Sequence, residues 1–253
     1  MKENDRMRKI TILLTACIHP NTKEGLAVSD AELRKQQYLN AINWYLKNTP
    51  YRIVFCENSG TDVSRDVWDP DHRVEFITYV SGPMMVDYGK GLRELEIIEY
   101  AIAHSAILMK SNIIIKGTGR LILKNMVSVV SWLVRKNAND FCSIWMSLKM
   151  WMCDSRFFFC SPSFLRTFVG YKNRLNDKIN FERLLATCIS ENRDRFSFLY
   201  PNLWYNIEGI GGGIGKIYHF TRVQYYSKNI KNIVFYIAYN WLRYWPKKKY
   251  YNK

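Results

Sequence analysis

The sequence lacks a long hydrophobic run, and none of its apolar stretches reaches the roughly 18 residues that a membrane-spanning helix needs. The first stretch, residues 10–16, follows a charged N-terminus and ends before His19 and Pro20. It is therefore also too short for the core of a signal peptide. We expect a cytoplasmic protein whose membrane contacts are peripheral.

The sequence also lacks the spacings of cysteine and histidine that are typical of metal-binding sites. The six cysteines form no CxxC pair and fit neither a zinc cluster nor a small disulfide framework, which favours a reducing compartment. The four histidines share no ligand spacing such as HExxH. A DxD triplet, Asp69 to Asp71, lies in a polar loop after Trp68 and is typical of a turn. We therefore predict no metal ligands.

Acidic residues are scarce, because 22 Asp and Glu stand against 37 Lys and Arg, a formal charge of +15. This surplus favours polyanionic partners, namely nucleic acid, anionic lipid or phosphorylated substrates. Aromatic residues make up 15% of the chain, and many lie near basic residues in its last third. The 48% of apolar residues can form a large core, which excludes disorder as the main state.

Strands and helices alternate along the first half of the chain. Four runs are typical of buried strands: residues 9–16, 51–56, 74–79 and 112–116. Two segments have the apolar spacing of helices, residues 31–46 and 92–106, and Arg34 falls on the polar side of the first. This order predicts βαβ units with a ligand crevice outside the carboxyl ends of the strands. Further strands are predicted at residues 141–152 and 157–160, and helices at residues 163–171 and 180–190.

Three of these strands end in groups that are able to hold phosphate, ribose or a base. They are Thr15, Ala16 and Cys17, then Glu57, Asn58 and Ser59, then Lys116, Thr118, Gly119 and Arg120. In a doubly wound sheet these ends are neighbours, so a carboxylate for ribose and cations for a diphosphate could meet in one crevice. The alternative is that they are ordinary loop residues.

Two further groups complete the candidate site. Lys90 and Gly91 precede a helix whose N-terminus favours anions, and Glu94 follows in its first turn; a surface cap is the alternative. Asp154 and Arg156 lie between hydrophobic strands. The carboxylate could act as a general base and the arginine could stabilise a leaving diphosphate, with a salt-bridged hairpin turn as the alternative.

The C-terminal part is rich first in glycine and then in basic and aromatic residues. Residues 207–216 hold five of the 13 glycines, which is typical of a mobile loop or of backbone that approaches a ligand closely. Glu208, Gly212 and His219 are the predicted acceptor-binding residues. Residues 229–253 predict a basic amphipathic helix.

We therefore divide the chain into a domain at residues 1–225 and a C-terminal segment at residues 226–253. In that segment Trp241, Trp245 and the lysines at 247–249 are predicted to bind an anionic membrane surface. Deletion of residues 240–253 should then release the protein from anionic vesicles. A helix that packs on the core is the alternative.

Several of these segments occur together in one known family. They are ITILLTA at 10–16, RKQQYL at 34–39, IVFCENSG at 53–60, GKG at 89–91 with Glu94, IKGTGR at 115–120 and DSR at 154–156. Over about residues 9–220 the sequence thereby resembles bacterial glycosyltransferases from capsule and lipopolysaccharide O-antigen gene clusters.

The resemblance implies an α/β fold of the GT-A kind: a mixed, Rossmann-like central sheet flanked by helices, here with a basic amphipathic C-terminal helix. It also implies a nucleotide-diphosphate sugar donor and a lipid-linked saccharide acceptor at the inner face of the bacterial inner membrane. By the same resemblance Thr15, Glu57 and Ser59 would hold the nucleotide, and Lys90, Lys116 and Arg120 the diphosphate.

One departure from the family concerns the metal. Where a metal-binding DxD would end the central strand, this sequence has Lys116-Gly-Thr-Gly-Arg120. We hypothesise that cationic side chains replace the divalent ion, so no cofactor is predicted, although Mn²⁺ and Mg²⁺ stay open. Activity that persists in EDTA would support this hypothesis, and complete loss restored by manganese would refute it.

The predicted activity is transfer of a hexosyl group to a hydroxyl, with Asp154 as the first choice of base and Glu94 as the second. A nucleic-acid-binding protein or nuclease is the alternative that the charge and aromatic content suggest. No RNP, zinc-finger or helix-turn-helix signature supports it, and nucleic acid is not an expected partner. A non-catalytic partner subunit with the same fold is a third possibility.

Overall fold

The computed structural model describes residues 9–20, 27–82, 90–147, 152–211 and 215–242. Its strands are β1 (Ile10–Ala16), β2 (Arg52–Glu57), β3 (Val74–Thr78), β4 (Ile113–Thr118), β5 (Ile122–Leu123), β6 (Phe141–Ser143), β7 (Phe157–Cys160), β8 (Ser197–Leu199), β9 (Ile207–Ile210) and β10 (Ile217–Tyr218). Its α-helices are α1 (Ala31–Asn48), α2 (Lys90–His104), α3 (Met126–Lys136), α4 (Pro162–Val169), α5 (Phe181–Glu191) and α6 (Arg222–Leu242).

The described strands form a seven-stranded sheet in the order β3-β2-β1-β4-β7-β6-β8 and a small sheet in the order β10-β9-β5. Strands β1 to β4 run parallel, and β7 runs antiparallel to β4. The carboxyl ends of β1, β2 and β4 therefore lie at the same edge of the sheet as the start of β7. The predicted α/β class with a mixed central sheet is confirmed.

The sheet is buried on both faces, which explains why β1 is apolar without alternation. Leu13 points to a core that contains residues of α2, α4 and α5, whereas Ile12 and Leu14 point to a core that contains residues of α1 and α3. Each such aliphatic side chain contributes roughly 1.5–3 kcal/mol on burial. The two cores fix the central strands, and hence the positions of their ends.

The strand predicted at residues 141–152 is wrong at the described residues that follow Ser143. Strand β6 ends at Ser143, because the chain turns back on itself there. The Asp154 amide donates to the Trp145 carbonyl at 2.9 Å, and Met146 forms an isolated bridge with Cys153. Residues 148–151 lie outside the described ranges.

The glycine-rich segment at 207–216 begins with strand β9, and its residues 212–214 lie outside the described ranges. Gly209 has a φ of +128°, and a Cβ atom on it would lie 2.8 Å from the Arg120 carbonyl oxygen. Glycine is therefore needed here for a close backbone approach.

Helix α6 begins at Arg222, so the predicted boundary at residue 225 falls within its first turn. One face of α6 lies on the body of the protein. The Asn125 side chain donates to the Tyr225 hydroxyl at 2.9 Å, and Asn232, which is fully buried, donates to the Pro201 carbonyl at 3.0 Å. No helix in the described part of the chain is long and apolar enough to cross a membrane.

Candidate active site

The three strand ends predicted to be neighbours lie together at the carboxyl edge of the sheet, beside the segment that carries Asp154 and Arg156. The Asn58 amide donates to the Ala16 carbonyl at 3.1 Å, and the Gly119 amide donates to the Thr15 carbonyl at 3.1 Å. The Thr118 amide donates to the carbonyl of Arg156 at 3.0 Å. Main-chain hydrogen bonds thus join the ends of β1, β2 and β4 to the segment that precedes β7.

Glu57 organises the loops at this edge. Its side chain is fully buried, and its carboxylate accepts the amides of Ile18 at 2.9 Å, Ser59 at 3.0 Å and Thr61 at 2.9 Å. Ser59 also donates its hydroxyl to Glu57 and accepts the His19 amide at 2.9 Å. The carboxylate that the sequence suggested for ribose is therefore occupied by main-chain donors, and it shapes the surface around Ser59.

Lys116 is buried beneath the site. Its side chain has no exposed area, forms an ion pair with Glu94, and lies 3.3 Å from the carbonyl of Ser155, to which it donates. The Thr15 hydroxyl donates to the same Glu94 carboxylate at 3.2 Å. Lys116 thereby fastens the first turns of α2 and the turn before β7 to β4, while Glu94 keeps 24% of its side chain exposed.

Asp154 and Arg156 form a salt bridge within one turn, which is the arrangement that the sequence analysis gave as the alternative to a catalytic pair. The Arg156 Nε donates to Asp154 Oδ1 at 2.7 Å, and a second guanidinium nitrogen donates to Oδ2. The guanidinium also lies 4.6 Å from the centre of the Tyr218 ring. Burial lowers the pKa of Arg156, but the Asp154 carboxylate more than offsets this effect and the pKa is raised overall.

Three cations lie close enough to interact electrostatically, and we name Arg34, Lys90 and Arg120 the cationic pocket. Arg34 is buried and donates its Nε to the Cys17 carbonyl at 2.8 Å and another nitrogen to the Val28 carbonyl at 3.0 Å. Among the described residues, neither Arg34 nor Arg120 forms an ion pair with a carboxylate.

Arg120 is the least satisfied member of the cationic pocket. It is 6% exposed, faces the Tyr38 ring at 5.8 Å, and donates to the Gln37 side chain at 3.2 Å. Its Nε is buried without a hydrogen-bond partner in the described part of the chain. A buried, unpartnered donor of a charged group is costly, so an external acceptor is expected here.

The pKa values of Arg120 and Lys90 are lowered by burial and by the neighbouring cations. Burial lowers the pKa of Arg120, and Arg34 lowers it further although Tyr38 acts in the opposite direction. Burial also lowers the pKa of Lys90, and then Arg34 and Arg120 lower it more. Like charges held close together, with Arg34 and Arg120 buried, favour an anionic ligand between them.

The position of Arg34 differs from the sequence prediction, which placed this side chain on the polar side of the first helix, whereas in the structure it is buried. It is 4% exposed, because the loop after β1 crosses α1 at this point and its carbonyls need donors. Tyr38, one turn further along α1, donates to the same Cys17 carbonyl at 3.3 Å. Arg34 and Tyr38 are four residues apart in the sequence, and this spacing indicates that the two side chains lie on the same face of the helix.

The predicted acceptor residues are distributed around the small sheet. Glu208 lies in β9 and pairs with Lys124 at 3.3 Å. His219 is exposed and follows Tyr218, the residue that contacts Arg156. Gly212 lies outside the described residues. Tyr218, which the sequence analysis did not select, brings β10 to the turn that carries Asp154.

No metal centre is visible in the described ranges, where no group of three or more His, Cys, Asp or Glu side chains is arranged to hold an ion. Three carboxylates at this edge of the sheet have other partners. Glu57 accepts main-chain amides, Glu94 pairs with Lys116, and Asp154 pairs with Arg156.

Replacement of Gly119 by alanine is expected to destabilise the protein by about 1–3 kcal/mol, as overpacking does. The new Cβ would lie 2.7 Å from the Thr15 carbonyl oxygen and 3.0 Å from the Tyr38 ring. Gly82→Ala is the matched control, because its Cβ meets nothing within 4 Å. Thermal unfolding of both variants measures the difference, and equal melting temperatures would contradict the close packing of these ends.

No protein-family model and no curated protein sequence matches the chain. Solved structures with similar shape include a glycosyltransferase involved in glycosylation of the major capsid of PBCV-1, at 13% identity over 77% of this chain and 82% of that chain, with a TM-score of 0.43. Galactosyltransferase LgtC with donor and acceptor sugar analogs gives 8% identity, 76% and 74% coverage, and a TM-score of 0.45. A cytidylyltransferase from Leptospira borgpetersenii gives 11% identity, 96% and 100% coverage, and a TM-score of 0.44.

Proposed function

We propose that the chain is a glycosyltransferase of the GT-A kind, which transfers a hexosyl group from a nucleotide-diphosphate sugar to a hydroxyl of a saccharide acceptor. The observation that carries this proposal is the cationic pocket, where Arg34 and Arg120 are buried without a carboxylate partner among the described residues. A diphosphate offers the charge and the oxygen acceptors that such a pocket lacks.

The donor is proposed to bind with its diphosphate between Arg34 and Arg120, near the N-terminus of α2. Lys90 and Gly91 begin this helix, and free amides at a helix N-terminus favour negative charge. The loop residues Asn58 and Ser59 and the end of β4 at Thr118 then lie where the nucleoside would extend. The expected role of Glu57 and Lys116 is to hold these segments in place.

In the reaction the acceptor oxygen forms a bond to the anomeric carbon, and the bond from that carbon to the phosphate oxygen breaks. The electron pair of the broken bond leaves with the diphosphate, whose added charge the cations stabilise. The acceptor proton moves to Asp154, the proposed base. Because Asp154 is paired with Arg156, we propose that an arriving diphosphate draws the guanidinium away and frees the carboxylate.

A more specific proposal concerns the acceptor and the cellular location of the enzyme. We propose a lipid-linked acceptor in capsule or O-antigen synthesis and a cytoplasmic enzyme that works on an anionic membrane surface, with residues 240–253 contributing to that contact. The formal charge of +15 supports this setting. We also propose that the cationic pocket acts in place of a divalent ion.

A thermal-shift screen with nucleoside diphosphates and nucleotide sugars tests the proposal. One nucleotide is expected to raise the melting temperature without added metal, because a ligand that binds only the native state stabilises it. A shift that needs Mn²⁺ would refute the replacement of the metal. No shift with any nucleotide, together with a salt-sensitive gel shift of DNA or RNA, would favour the nucleic-acid alternative.

A further inference from the structure

Helix α6 has an outer face that the rest of the described chain leaves uncovered. Its large apolar side chains recur every three or four residues and so lie on one side of the helix. Their exposed fractions range from 52% to 78%. We name them the outer stripe: Val223, Tyr226, Ile230, Ile233, Val234 and Ile237.

The outer stripe cannot be explained by packing within the described residues, because the opposite face already contacts the body. Asn229 accepts the Trp204 amide at 3.0 Å, Asn232 is fully buried, and Phe235 packs against a core cluster. Six neighbouring exposed apolar side chains on one helix mark an interaction surface.

The charged residues of helix α6 itself, Arg222, Lys228 and Lys231, are all basic. From residue 209 to residue 253 the sequence contains nine Lys and Arg and no Asp or Glu. Arg222 and Lys231 are exposed beside the stripe, and Lys228 lies 5.2 Å from the Trp204 ring. An apolar stripe with basic neighbours and no acid matches an anionic lipid surface.

We infer that the outer stripe inserts into the interface of an anionic membrane, with α6 lying in the plane of the surface. A second copy of the chain fits less well, because a two-fold contact through this face would bring two sets of cations together without acidic partners. Nucleic acid also fits less well, because the centre of the face is apolar and phosphates need cations there.

This inference rests on the proposed function in one respect, the position of the acceptor. Helix α6 begins four residues after Tyr218, whose ring lies 4.6 Å from the Arg156 guanidinium. A membrane on the outer stripe would therefore lie near the acceptor side of the site. The contact is distinct from the one predicted at residues 240–253, since it uses residues 223–237.

Co-sedimentation with phosphatidylglycerol vesicles tests the inference. The triple variant Ile230→Ser, Ile233→Ser and Ile237→Ser is expected to bind these vesicles at least about 1,000-fold more weakly, because burial of each of the three isoleucines is worth about a factor of ten or more. All three positions are exposed, so the melting temperature should change little. Wild-type protein should bind phosphatidylcholine vesicles far more weakly than phosphatidylglycerol vesicles.

Trp68→Ser is the matched control, because Trp68 is 84% exposed and far along the chain from α6. It should sediment like the wild type. The nucleotide-induced shift of the melting temperature should be the same in the wild type and in all variants. If the wild type shows no such shift, the proposed function is contradicted but the inference about the outer stripe is not. Unchanged vesicle binding by the triple variant overturns the inference. If, in addition, the wild type is a dimer and the triple variant is a monomer, the outer stripe is a contact between two copies of the chain.

Discussion

Replacement of Asp154 by asparagine is expected to lower the rate of sugar transfer by about 10²–10⁴-fold, the range that a positioned general base contributes. Asparagine keeps the shape of the side chain but cannot take the acceptor proton. Donor binding should change much less, because the diphosphate is proposed to contact Arg34 and Arg120. Steady-state kinetics and donor-induced thermal shifts measure the two effects separately.

Asp66→Asn is the control for this prediction. Asp66 forms a surface ion pair with Lys35 at 2.9 Å, and such pairs contribute at most about 1 kcal/mol to stability. The same chemical change should therefore leave transfer intact. Near-normal turnover in Asp154→Asn would remove Asp154 from the role of base, and Glu94→Gln would then be the next variant to measure.

Replacement of Arg120 by methionine is expected to weaken donor binding by about 100-fold or more. Two charge-assisted hydrogen bonds would be lost, each worth roughly 1.5–3 kcal/mol. The free protein should nevertheless melt at the same temperature or higher, because Arg120 is buried, has a pKa lowered by burial, and has no carboxylate partner in the described ranges. A residue with a purely structural role does not usually stabilise the protein when it is replaced. A higher melting temperature of Arg120→Met would therefore indicate that Arg120 serves ligand binding.

Arg174→Met provides the comparison, since it removes the same group from an exposed pair with Glu191 at 2.6 Å. It should leave donor binding unchanged and cost little stability. If Arg120→Met bound the donor as tightly as the wild type, the cationic pocket would not be the diphosphate site. A large fall in its melting temperature would instead identify Arg120 as structural.

The sequence was informative where burial imposes a continuous apolar pattern. Strands β1, β2 and β4 are buried on nearly their whole length, so their ends could be located and the polar residues after them compared. Their parallel order then followed from the helices between them. Short strands such as β5, with two residues, carry no periodic signal and were missed.

The direction of charged side chains was less predictable than their position. Glu57 and Lys116 stand at strand ends as expected, but both point inward, where main-chain amides and Glu94 satisfy them. A residue type at a strand end does not reveal which way the side chain turns. Arg34 was misplaced for a related reason, because the carbonyls of the loop between β1 and α1 draw its side chain inward.

A crystal structure with the nucleotide sugar that gives the largest thermal shift would test the central proposal most directly. The diphosphate oxygens are expected to accept hydrogen bonds from Arg34 and Arg120, including the Arg120 Nε that is unpartnered in the described structure. Binding at the opposite edge of the sheet, where a cavity of about 540 Å³ is lined by Asn137, Asp140 and Ser161, would contradict the proposal. So would a complex in which the Arg120 guanidinium makes no contact with the diphosphate.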